Sequence, residues 1–594
     1  MRRIAVIDKT RCINGFGCDF LCGRLCPVNR EGASCIYIDP KDNKPVIDET
    51  LCTGCGICPN RCPTQCITIL NLPDKLAEEP IMRYGINSFE LFKLPIPKQG
   101  MVVGILGRNG IGKSTALNIL SGSLKPNLGE FSKQLKDSDI IGKYSKTYLG
   151  DYFKRLFAGK IKLSYKPQRI EMLQKVYDGK VSDLLSKVDE KNTSDKYLSD
   201  LDALHLRGRK LSELSGGELQ KVAIVAAASK KADVYFFDEP ASFLDITTRI
   251  KAARLIRSLA DEKTSVMVVE HDLATLDYIS DEIQVLFGEI GVYGIVGQSK
   301  SVRNGINEYL DGYLTGENMR FRDYAIKFFP VNTERVIGKS IFFEYHSMEK
   351  SFRDFNLKVT PGNIRRGEVL AVMGANGLGK STFLKLLSHE IQPDIGEVEK
   401  REISYKLQYP PSNIEGTVRE FLEKAAGDKM QSGWYQQNIL EKLGLKKLLD
   451  NFVSMLSGGE LQKLHVAACL SRDCDIYAID EPSAFIDVED RLKVAEVIKD
   501  FVIKNGVCAI VVDHDVQFID YIADSMLVFE GDPGKQGHVI GPLGKKDGMN
   551  QVLKMLDITY RMDKQTSRPR INKPGSQLDQ QQRANGEYYY SLAK

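Results

Sequence analysis

The sequence lacks the features that would place it in a membrane, direct it to secretion or draw it to nucleic acid through its overall charge. No apolar run approaches the roughly 18 residues of a membrane-spanning helix, and the N-terminal stretch MRRIAVIDKT has no apolar core of a secretory signal. The net charge is only +4, so contact with nucleic acid has to come from local basic patches. We therefore expect a cytoplasmic protein of roughly three to five domains in its 594 residues, without a membrane partner.

Cysteine is scarce after residue 66, whereas ten of the thirteen cysteines come before residue 67. Clustered cysteines without a secretory signal favour metal binding over disulfides. One run has the C-x2-C-x2-C-x3-C-P spacing of bacterial ferredoxins, which predicts an iron–sulfur cluster. Zinc is the weaker alternative, because it usually takes two separated pairs of ligands. The run consists of Cys52, Cys55, Cys58 and Cys62.

A second cysteine run precedes the first and is more loosely spaced. It consists of Cys12, Cys18, Cys22 and Cys26, and the interval from Cys12 to Cys18 departs from the usual spacing. In two-cluster ferredoxins the fourth cysteine of each run serves the other cluster. One [4Fe–4S] cluster would then use Cys12, Cys18, Cys22 and Cys62, and the other Cys52, Cys55, Cys58 and Cys26. Cys35 and Cys66 are left over and are expected to be small buried residues.

The phosphate-binding pattern G-x-x-x-x-G-K-[ST] occurs twice, each time between an apolar strand-like run and a helical pattern. Its glycines let backbone N–H groups surround phosphate oxygens at a helix N-terminus. Two copies in the same context make a chance match negligible. In the first copy the expected ATP contacts are Gly107, Asn109, Gly110, Gly112, Lys113, Ser114 and Thr115. In the second copy they are Gly374, Asn376, Gly377, Gly379, Lys380, Ser381 and Thr382.

Two acids end a buried strand downstream of each phosphate loop. Asp238 and Asp480 fit a carboxylate on the magnesium side, and Glu239 and Glu481 fit the base that polarises the attacking water. Two acids after a strand can also be a helix N-cap, but the upstream phosphate loop makes that alternative weak. We therefore expect Mg²⁺ and ATP at both sites.

The motif LSGGE follows in both halves, and on it the chain resembles the ATP-binding cassette (ABC) ATPases. The resemblance implies that each motif contacts the ATP of the partner cassette in trans, and it gives Gln168 and Gln408 as Q-loop magnesium ligands. It also gives Asp245 and Asp487 as D-loop residues, and His271 and His514 as catalytic switch histidines. Tyr84 and Phe89 are candidate adenine-stacking aromatics before the first phosphate loop. The motif residues are Ser215, Gly216, Gly217, Glu218, Ser457, Gly458, Gly459 and Glu460.

The spacing between the two halves reveals an insertion in the first. The two phosphate loops are 267 residues apart, but the two Q-loop glutamines are only 240 apart, so the first half carries about 27 extra residues. The segment, about 131–166, holds nine Lys or Arg, three Asp and seven Phe or Tyr. Basic and aromatic residues together suggest contact with RNA. An amphipathic helical hairpin that packs on its own cassette explains the pattern equally well.

The order of these parts resembles ABC subfamily E, the ribosome-recycling factors also called ribonuclease L inhibitors. The fold class is α/β, with two ABC-type P-loop nucleotide-binding domains and an N-terminal ferredoxin-like α+β iron–sulfur domain. The expected divisions are 1–75 for the iron–sulfur domain, 76–315 for the first cassette and 316–330 for a hinge. The second cassette follows at 331–560, and 561–594 forms a C-terminal hinge and tail.

The resemblance implies a function and partners. A twin-cassette ATPase would split ribosomes into subunits, stay on the small subunit and possess two composite ATP sites. Its partners would be the small subunit and its rRNA, with a release-type factor in the A site, and the protein would act as a monomer. The competing classes are a transporter ATPase subunit, an ATP-driven redox enzyme and a DNA-repair ATPase. A transporter subunit would have no use for a ferredoxin-like domain. A redox enzyme would need a flavin or nicotinamide fingerprint, which the sequence lacks. A DNA-repair ATPase would carry a long coiled coil, for which neither cassette has room.

Overall fold

The computed structural model describes residues 3–14, 17–71, 79–328, 340–399, 401–408, 411 and 414–590. The predicted linker around Pro73 and the predicted start of the second cassette at residue 331 lie outside these residues, as do the last four residues of the tail. No helix in the described ranges has both the length and the apolar character needed to cross a membrane.

The N-terminal domain is a small α+β unit whose core is rich in cysteine. Strand β1 pairs antiparallel with β4, and β2 pairs antiparallel with β3. Six cysteines are buried together with isoleucines of these strands. The elements are β1 (Arg3–Ile7), α1 (Leu21–Leu25), α2 (Pro27–Arg30), β2 (Ile36–Asp39), β3 (Lys44–Ile47), α3 (Ile57–Arg61) and β4 (Ile67–Asn71).

The first cassette is built around one mixed eight-stranded sheet. Its strands are β5 (Met82–Arg83), β6 (Glu90–Phe92), β7 (Val102–Leu106), β8 (Leu163–Lys166), β9 (Val234–Asp238), β10 (Ser265–Val269), β11 (Glu282–Glu289) and β12 (Tyr293–Ser301), and a separate pair is β13 (Tyr313–Leu314) and β14 (Met319–Arg320). Its helices are α4 (Lys113–Leu120), α5 (Asp137–Lys143), α6 (Tyr148–Phe157), α7 (Glu171–Val176), α8 (Val181–Val188), α9 (Ser194–Asp200), α10 (Gly216–Ala228), α11 (Ile246–Arg257), α12 (Leu273–Ile279) and α13 (Val302–Asp311).

The second cassette repeats this plan, and a short tail follows it. Its strands are β15 (Ile341–Tyr345), β16 (Met348–Ser351), β17 (Asn356–Val359), β18 (Gly362–Arg365), β19 (Val369–Met373), β20 (Ile403–Lys406), β21 (Ile476–Asp480), β22 (Cys508–Val512), β23 (Ser525–Asp532) and β24 (Gln536–Gly544). Its helices are α14 (Lys380–Leu387), α15 (Val418–Ala426), α16 (Gly433–Tyr435), α17 (Gly458–Ser471), α18 (Val488–Asn505), α19 (Val516–Ile522) and α20 (Lys545–Met555). The tail holds β25 (Tyr560–Met562), β26 (Pro569–Ile571) and α21 (Gln577–Asn585).

The two large sheets have the same strand order. The first runs β5-β6-β12-β11-β7-β10-β9-β8, and the second runs β16-β17-β24-β23-β19-β22-β21-β20. The central strands β7 and β19 are buried along their whole length, as expected for parallel strands covered on both faces. Each phosphate loop leaves the carboxyl end of its central strand and enters a helix. The internal repeat read from the motifs is therefore also a repeat of the fold.

The insertion of the first cassette forms the helical hairpin of α5 and α6. Tyr152 and Phe153 of α6 are buried in the cassette, and the Tyr152 hydroxyl donates to the Leu120 carbonyl at 2.7 Å. These aromatic rings therefore serve packing and do not stack on bases. Lys154 and Arg155 lie on the opposite, exposed face of the same helix. The packing interpretation is correct for the aromatic face, and the basic face stays available to a partner.

The N-terminal domain docks on the first cassette through Asn87, a buried residue between β5 and β6. The Asn87 amide accepts from the Ile47 N–H at 2.7 Å and donates to the carbonyls of Ile47 and Ala5 at 2.9 and 3.1 Å. The Asn87 carbonyl accepts from the Ile7 N–H at 3.0 Å. One side chain thus satisfies main-chain groups of two strands of the head.

We expect Asn87→Ala to loosen the head without unfolding either cassette. The change removes three hydrogen bonds and leaves buried main-chain groups unpaired, at a cost of about 1–3 kcal/mol for each group. Hydrogen exchange at the amides of Ile7 and Ile47 should become faster. Ser88→Ala, at the half-buried neighbouring position, is the control and should leave the exchange unchanged. Equal protection in Asn87→Ala and in the parent protein would contradict this role.

Candidate functional site

In each phosphate loop the lysine side chain bonds to main-chain carbonyls of the loop, and a glycine precedes the helix. Lys113 Nζ donates to the carbonyls of Gly107 and Arg108 at 2.9 and 2.7 Å, and Lys380 makes the equivalent bonds in the second cassette. Gly112 precedes the helix with φ 96°, a conformation that disfavours side chains. The ammonium groups therefore lie inside the loops, where phosphate oxygens would be bound.

An aromatic ring packs against each phosphate loop. A Cβ on Gly112 would come within 2.7 Å of the Phe89 ring, and a Cβ on Gly379 within 2.9 Å of the Phe355 ring. The Tyr84 hydroxyl lies 3.1 Å from Thr115 Oγ1. Phe355 was not among the predicted site residues, although it lies 266 residues after Phe89, almost the offset of the two loops. Each ring stands two residues before a leucine, Leu91 and Leu357, and this shared pattern could have identified Phe355.

The two predicted bases occupy the same strained position in their cassettes. Glu239 and Glu481 follow strands β9 and β21 with φ of 47° and 44°, in the left-handed region that side chains rarely adopt. Gln168 Nε2 donates to Glu239 Oε1 at 2.7 Å, and Gln408 makes the same 2.7 Å bond to Glu481. Each Q-loop glutamine thus orients the base of its own site.

The electrostatic surroundings of the two bases differ. Burial alone would raise the pKa of Glu239, but contact with His271 and the charge of Lys113 lower it to about 2. Burial and the charges of Asp513 and Asp480 raise the pKa of Glu481 to about 7. The switch histidines explain part of the difference.

The switch histidines face different neighbours. His271 Nε2 lies 3.4 Å from Glu239 Oε1. His514 Nε2 lies 3.5 Å from Glu481 Oε1 but only 3.0 Å from Asn376 Oδ1. In the second site the phosphate loop therefore competes for the histidine that the base could use.

The magnesium-side carboxylates lie where the strands end. Burial and the neighbouring Glu239 charge raise the pKa of Asp238 to about 6, while a hydrogen bond with Ser114 opposes this shift. The Tyr165 hydroxyl lies 3.4 Å from Asp238 Oδ2, and Tyr405 lies 3.3 Å from Asp480 Oδ2. The raised pKa of Asp238 means that its negative charge is unfavourable here, and a cation beside these carboxylates would stabilise it.

Both D-loops reach across to the opposite phosphate loop. Asp245 Oδ2 accepts from the Asn376 N–H at 2.9 Å, while its other oxygen caps α11. Asp487 Oδ2 lies 3.9 Å from Arg108 Nε in the reverse direction. Phe243 and Phe485 meet edge to face between the cassettes, with ring centroids 5.5 Å apart. Each ATP site is thus already in contact with the other cassette.

The two LSGGE motifs form matching helix N-termini. Ser215 Oγ accepts from the Glu218 N–H at 3.4 Å, and the Glu218 carboxylate accepts from the Ser215 N–H at 2.8 Å. This reciprocal pair is a capping box, and Ser457 and Glu460 form the same one. Among the described residues, the side chains of these serines hydrogen-bond only within their own capping boxes. Gly217 and Gly459 lie so close to the D-loop carbonyls of Phe243 and Phe485 that a Cβ would approach to 2.8 Å.

The first predicted quartet of cysteines lines one small cavity in the N-terminal domain. Five cysteines line it, namely the predicted Cys12, Cys18, Cys22 and Cys62 together with Cys66, whose sulfur lies 3.4 Å from that of Cys62. In the described residues no group of three or more His, Cys, Asp or Glu lies close enough for a single metal ion. Cysteine thiolates are the usual ligands of iron–sulfur clusters, so the lining of this cavity has the donor atoms that such a cluster requires.

The second predicted quartet is also gathered in one place. The pKa of the Cys58 thiol is raised to about 12 by burial and by the neighbouring Cys52 and Cys55. Cys35 is buried beside Cys26 and Cys52. Burial raises the pKa of an isolated thiol, whereas a bound cation stabilises the thiolate. These buried thiols therefore suit a metal cluster.

Comparison with known proteins gives full-length matches. The ABC transporter family matches residues 96–242 and 357–484. The translation initiation factor RLI1 of Chaetomium thermophilum is 42% identical over 99% of this chain and 97% of its own length. A solved structure described as a model of ribosome-bound archaeal Pelota and ABCE1 is 49% identical, with a TM-score of 0.94 and coverage of 99% of both chains.

A crystal structure provides a further match. It is described as the complex of archaeal ribosomal stalk protein aP1 and archaeal ribosome recycling factor aABCE1. The similarity is 47% identity with a TM-score of 0.82, and it covers 87% of this chain and all of the other. The first two relatives thus match this chain over almost its entire length, whereas the crystal structure matches 87% of it.

Proposed function

Because the chain belongs to the ABCE family of twin-cassette ATPases, to which RLI1 also belongs, we propose that it splits ribosomes into subunits with the energy of ATP. The observation that carries this proposal is the match over 99% of the chain to a ribosome-bound relative, and a match over 87% of the chain to a ribosome recycling factor supports it. The chain is an ATP-hydrolysing ABC ATPase. We place its action in the cytoplasm.

The residues described above would have different roles in each ATP site. Lys113 and Lys380 would contact the β- and γ-phosphates, and Glu239 and Glu481 would accept hydrogen bonds from the attacking water. The residues that would hold magnesium are Ser114, Gln168 and Asp238 in the first site and Ser381, Gln408 and Asp480 in the second. Bound Mg²⁺ supplies charge neutralisation between the β- and γ-phosphate oxygens.

Closure would complete the sites in trans. Asp245 and Asp487 already contact the opposite phosphate loops, so a further approach brings Ser215 toward Lys380 and Ser457 toward Lys113. The helix N-termini at these serines offer N–H groups to anionic oxygens. ATP would favour the closed arrangement and hydrolysis would release it.

The head would act as a lever that follows closure. Arg11 of the head pairs with Glu460 of the second LSGGE motif, with a nitrogen–oxygen distance of 3.3 Å. Movement of that motif toward Lys113 therefore acts on a residue of the head. We propose that two [4Fe–4S] clusters stiffen the head and do not exchange electrons during turnover. The clusters would use Cys12, Cys18, Cys22 and Cys62, and Cys52, Cys55, Cys58 and Cys26.

We propose that the protein acts as a monomer on the small subunit, with a release-type factor in the A site. Density-gradient sedimentation of ribosomes with the protein, ATP and such a factor tests this function. With far less protein than ribosomes, free subunits should accumulate with the parent protein. Few should appear with the Glu239→Gln, Glu481→Gln variant, because it closes on ATP once and is not released for another round. Intact ribosomes in the parent reaction, under conditions where ATP is hydrolysed, would refute ribosome splitting.

The exposed basic face of α6 is the proposed contact with ribosomal RNA. Lys154→Glu together with Arg155→Glu should weaken small-subunit binding and lower the salt dependence of binding by roughly one unit of slope for each phosphate that the variant no longer neutralises. ATP hydrolysis without ribosomes should be unchanged. Lys446→Glu with Lys447→Glu, an exposed pair in the second cassette, is the matched control. Unchanged binding of the first variant would limit the insertion to packing.

A further inference from the structure

The main chain of Glu239 is held by two side chains that have no part in the ATP chemistry described above. Its φ of 47° is an unfavourable conformation that persists only where the surroundings fix it. Lys166 Nζ donates to the carbonyls of Asp238 and Glu239 at 2.8 and 3.1 Å. Gln220 Nε2 donates to the carbonyls of Glu239 and Pro240 at 2.8 and 2.9 Å.

Lys166 carries a buried charge whose hydrogen bonds go to main-chain carbonyls and not to a carboxylate. It ends β8, two residues before Gln168, and only 1% of its surface is exposed. Burying an ammonium group is costly unless it is hydrogen-bonded, and here the partners are main-chain carbonyls at the strained turn. A buried methylene chain alone would pack as well in this core, so the charged end calls for a specific role.

Gln220 links the same turn to the LSGGE motif. It is fully buried in α10, the helix whose N-terminus is capped by Ser215. Its amide donates to the carbonyl of the base, so a shift of α10 acts directly on the main chain of Glu239. The N-terminus of α10 is the part that would meet ATP on the second phosphate loop.

We infer that Lys166 and Gln220 are positioning residues that clamp the main chain of Glu239 and couple it to the LSGGE helix of its own cassette. Engagement of Ser215 with the second ATP would thereby adjust the base of the first site. The coupling rests on the proposed composite sites, whereas the positioning role does not.

The second cassette has the same residue types but holds different carbonyls. Lys406 Nζ donates to Asp480 and Leu407 at 2.7 and 3.1 Å, and Gln462 Nε2 donates to Gln408 at 3.3 Å. These bonds go to the carbonyls of other residues near Glu481 and not to the Glu481 carbonyl. Within the described part of the chain, the first site is therefore the one in which a single side chain joins the LSGGE helix to the base.

The positioning role is tested by kinetics of the first site. In a Glu481→Gln background, Lys166→Met and Gln220→Met should each lower kcat by roughly tenfold or more while KM for ATP changes little, because the interaction that is removed orients the base. Lys166→Arg, which keeps the donors, should recover part of the rate. Lys196→Met replaces an exposed lysine and is the control. An unchanged kcat, or a rise in KM alone, would overturn the positioning role.

Gln220→Met keeps the proposal testable if Lys166→Met fails to fold, because it removes a neutral amide and does not change the charge of the core. Nucleotide binding and thermal melting of each variant establish that the cassette is intact. A double-mutant cycle then tests the coupling. Lys380→Ala, which disables the second phosphate loop, should slow the first site in the parent protein and have little further effect in Gln220→Met.

The cycle separates the possible failures. Additive effects of Lys380→Ala and Gln220→Met would overturn the coupling. No effect of Lys380→Ala on the parent would contradict the composite sites and with them the coupling, while the kcat of Gln220→Met still decides the positioning role. All measurements use the full chain without ribosomes, so a failure of ribosome splitting is a separate result.

Discussion

Glu239→Gln combined with Glu481→Gln is expected to lower ATP turnover by about 10²–10⁴-fold, the usual contribution of a positioned general base. ATP binding should persist, because the phosphate loops around Lys113 and Lys380 are untouched. Glutamine has nearly the size of glutamate but cannot accept the proton of the attacking water. The double variant should therefore retain ATP and accumulate in the closed arrangement.

Retained nucleotide and initial turnover, measured on the same preparation, check this prediction. Glu262→Gln changes an exposed glutamate of the first cassette and is the control, with turnover expected at the parent level. Rapid hydrolysis by the double variant would remove both glutamates from the role of base. Loss of ATP binding would instead indicate that the carboxylates build the binding site.

The single variants should differ in their pH dependence. With a pKa of about 2, Glu239 stays ionised throughout the neutral range. With a pKa of about 7, Glu481 gains a proton as the pH falls below neutrality and then cannot act as a base. Turnover of Glu239→Gln, which reports the second site, should fall between about pH 8 and pH 6, whereas that of Glu481→Gln should not. Equal profiles would contradict the difference in surroundings.

Anaerobically purified protein is expected to contain about eight iron atoms, four for each of two clusters. Cys62→Ala should reduce this to about four, because Cys62 lines the cavity with Cys12, Cys18 and Cys22. Cys66→Ala is a matched control at a sulfur 3.4 Å from Cys62, and it should leave about eight. Iron content and cluster absorption of the full chain provide the measurement.

The paired cysteine variants also reveal an exchanged ligand. If Cys66→Ala lost four irons and Cys62→Ala did not, the fourth ligand would be Cys66 and not the cysteine of the C-P pair. A preparation that contains zinc and no iron would refute both clusters. Each of these results is independent of ATP turnover, since the cysteines lie outside both cassettes.

The sequence predicted the cassettes well because their chemistry is local. A glycine-rich turn between a buried strand and a helix needs a fixed run of residues, so Lys113 and Lys380 were evident from spacing alone. The resemblance to the ABC ATPases placed Gln168 in the same site as Glu239, and the two side chains lie 2.7 Å apart. The twin fold followed from the repetition of these runs, which the identical strand orders bear out.

Features that depend on packing partners were not evident from the sequence. Tyr152 and Phe153 alternate with basic residues in the sequence, and only the fold shows that their rings face Leu120 and the core. Asn87 looks like an ordinary loop residue, because its partners are main-chain groups some 40 and 80 residues away. Position along the chain cannot reveal such long-range hydrogen bonds.

The chain joins its cassettes at two places, and this restricts how they can separate. Besides the segment between them, the tail returns to the first cassette, where Arg570 pairs with Asp277 at 2.7 Å and Asp563 contacts Arg303 and Asn307 at 3.1 and 3.2 Å. A second tether keeps the effective concentration of one cassette near the other high. If both joints hold when ATP is lost, the cassettes open by rotation about them, and each new cycle starts without a search for the partner.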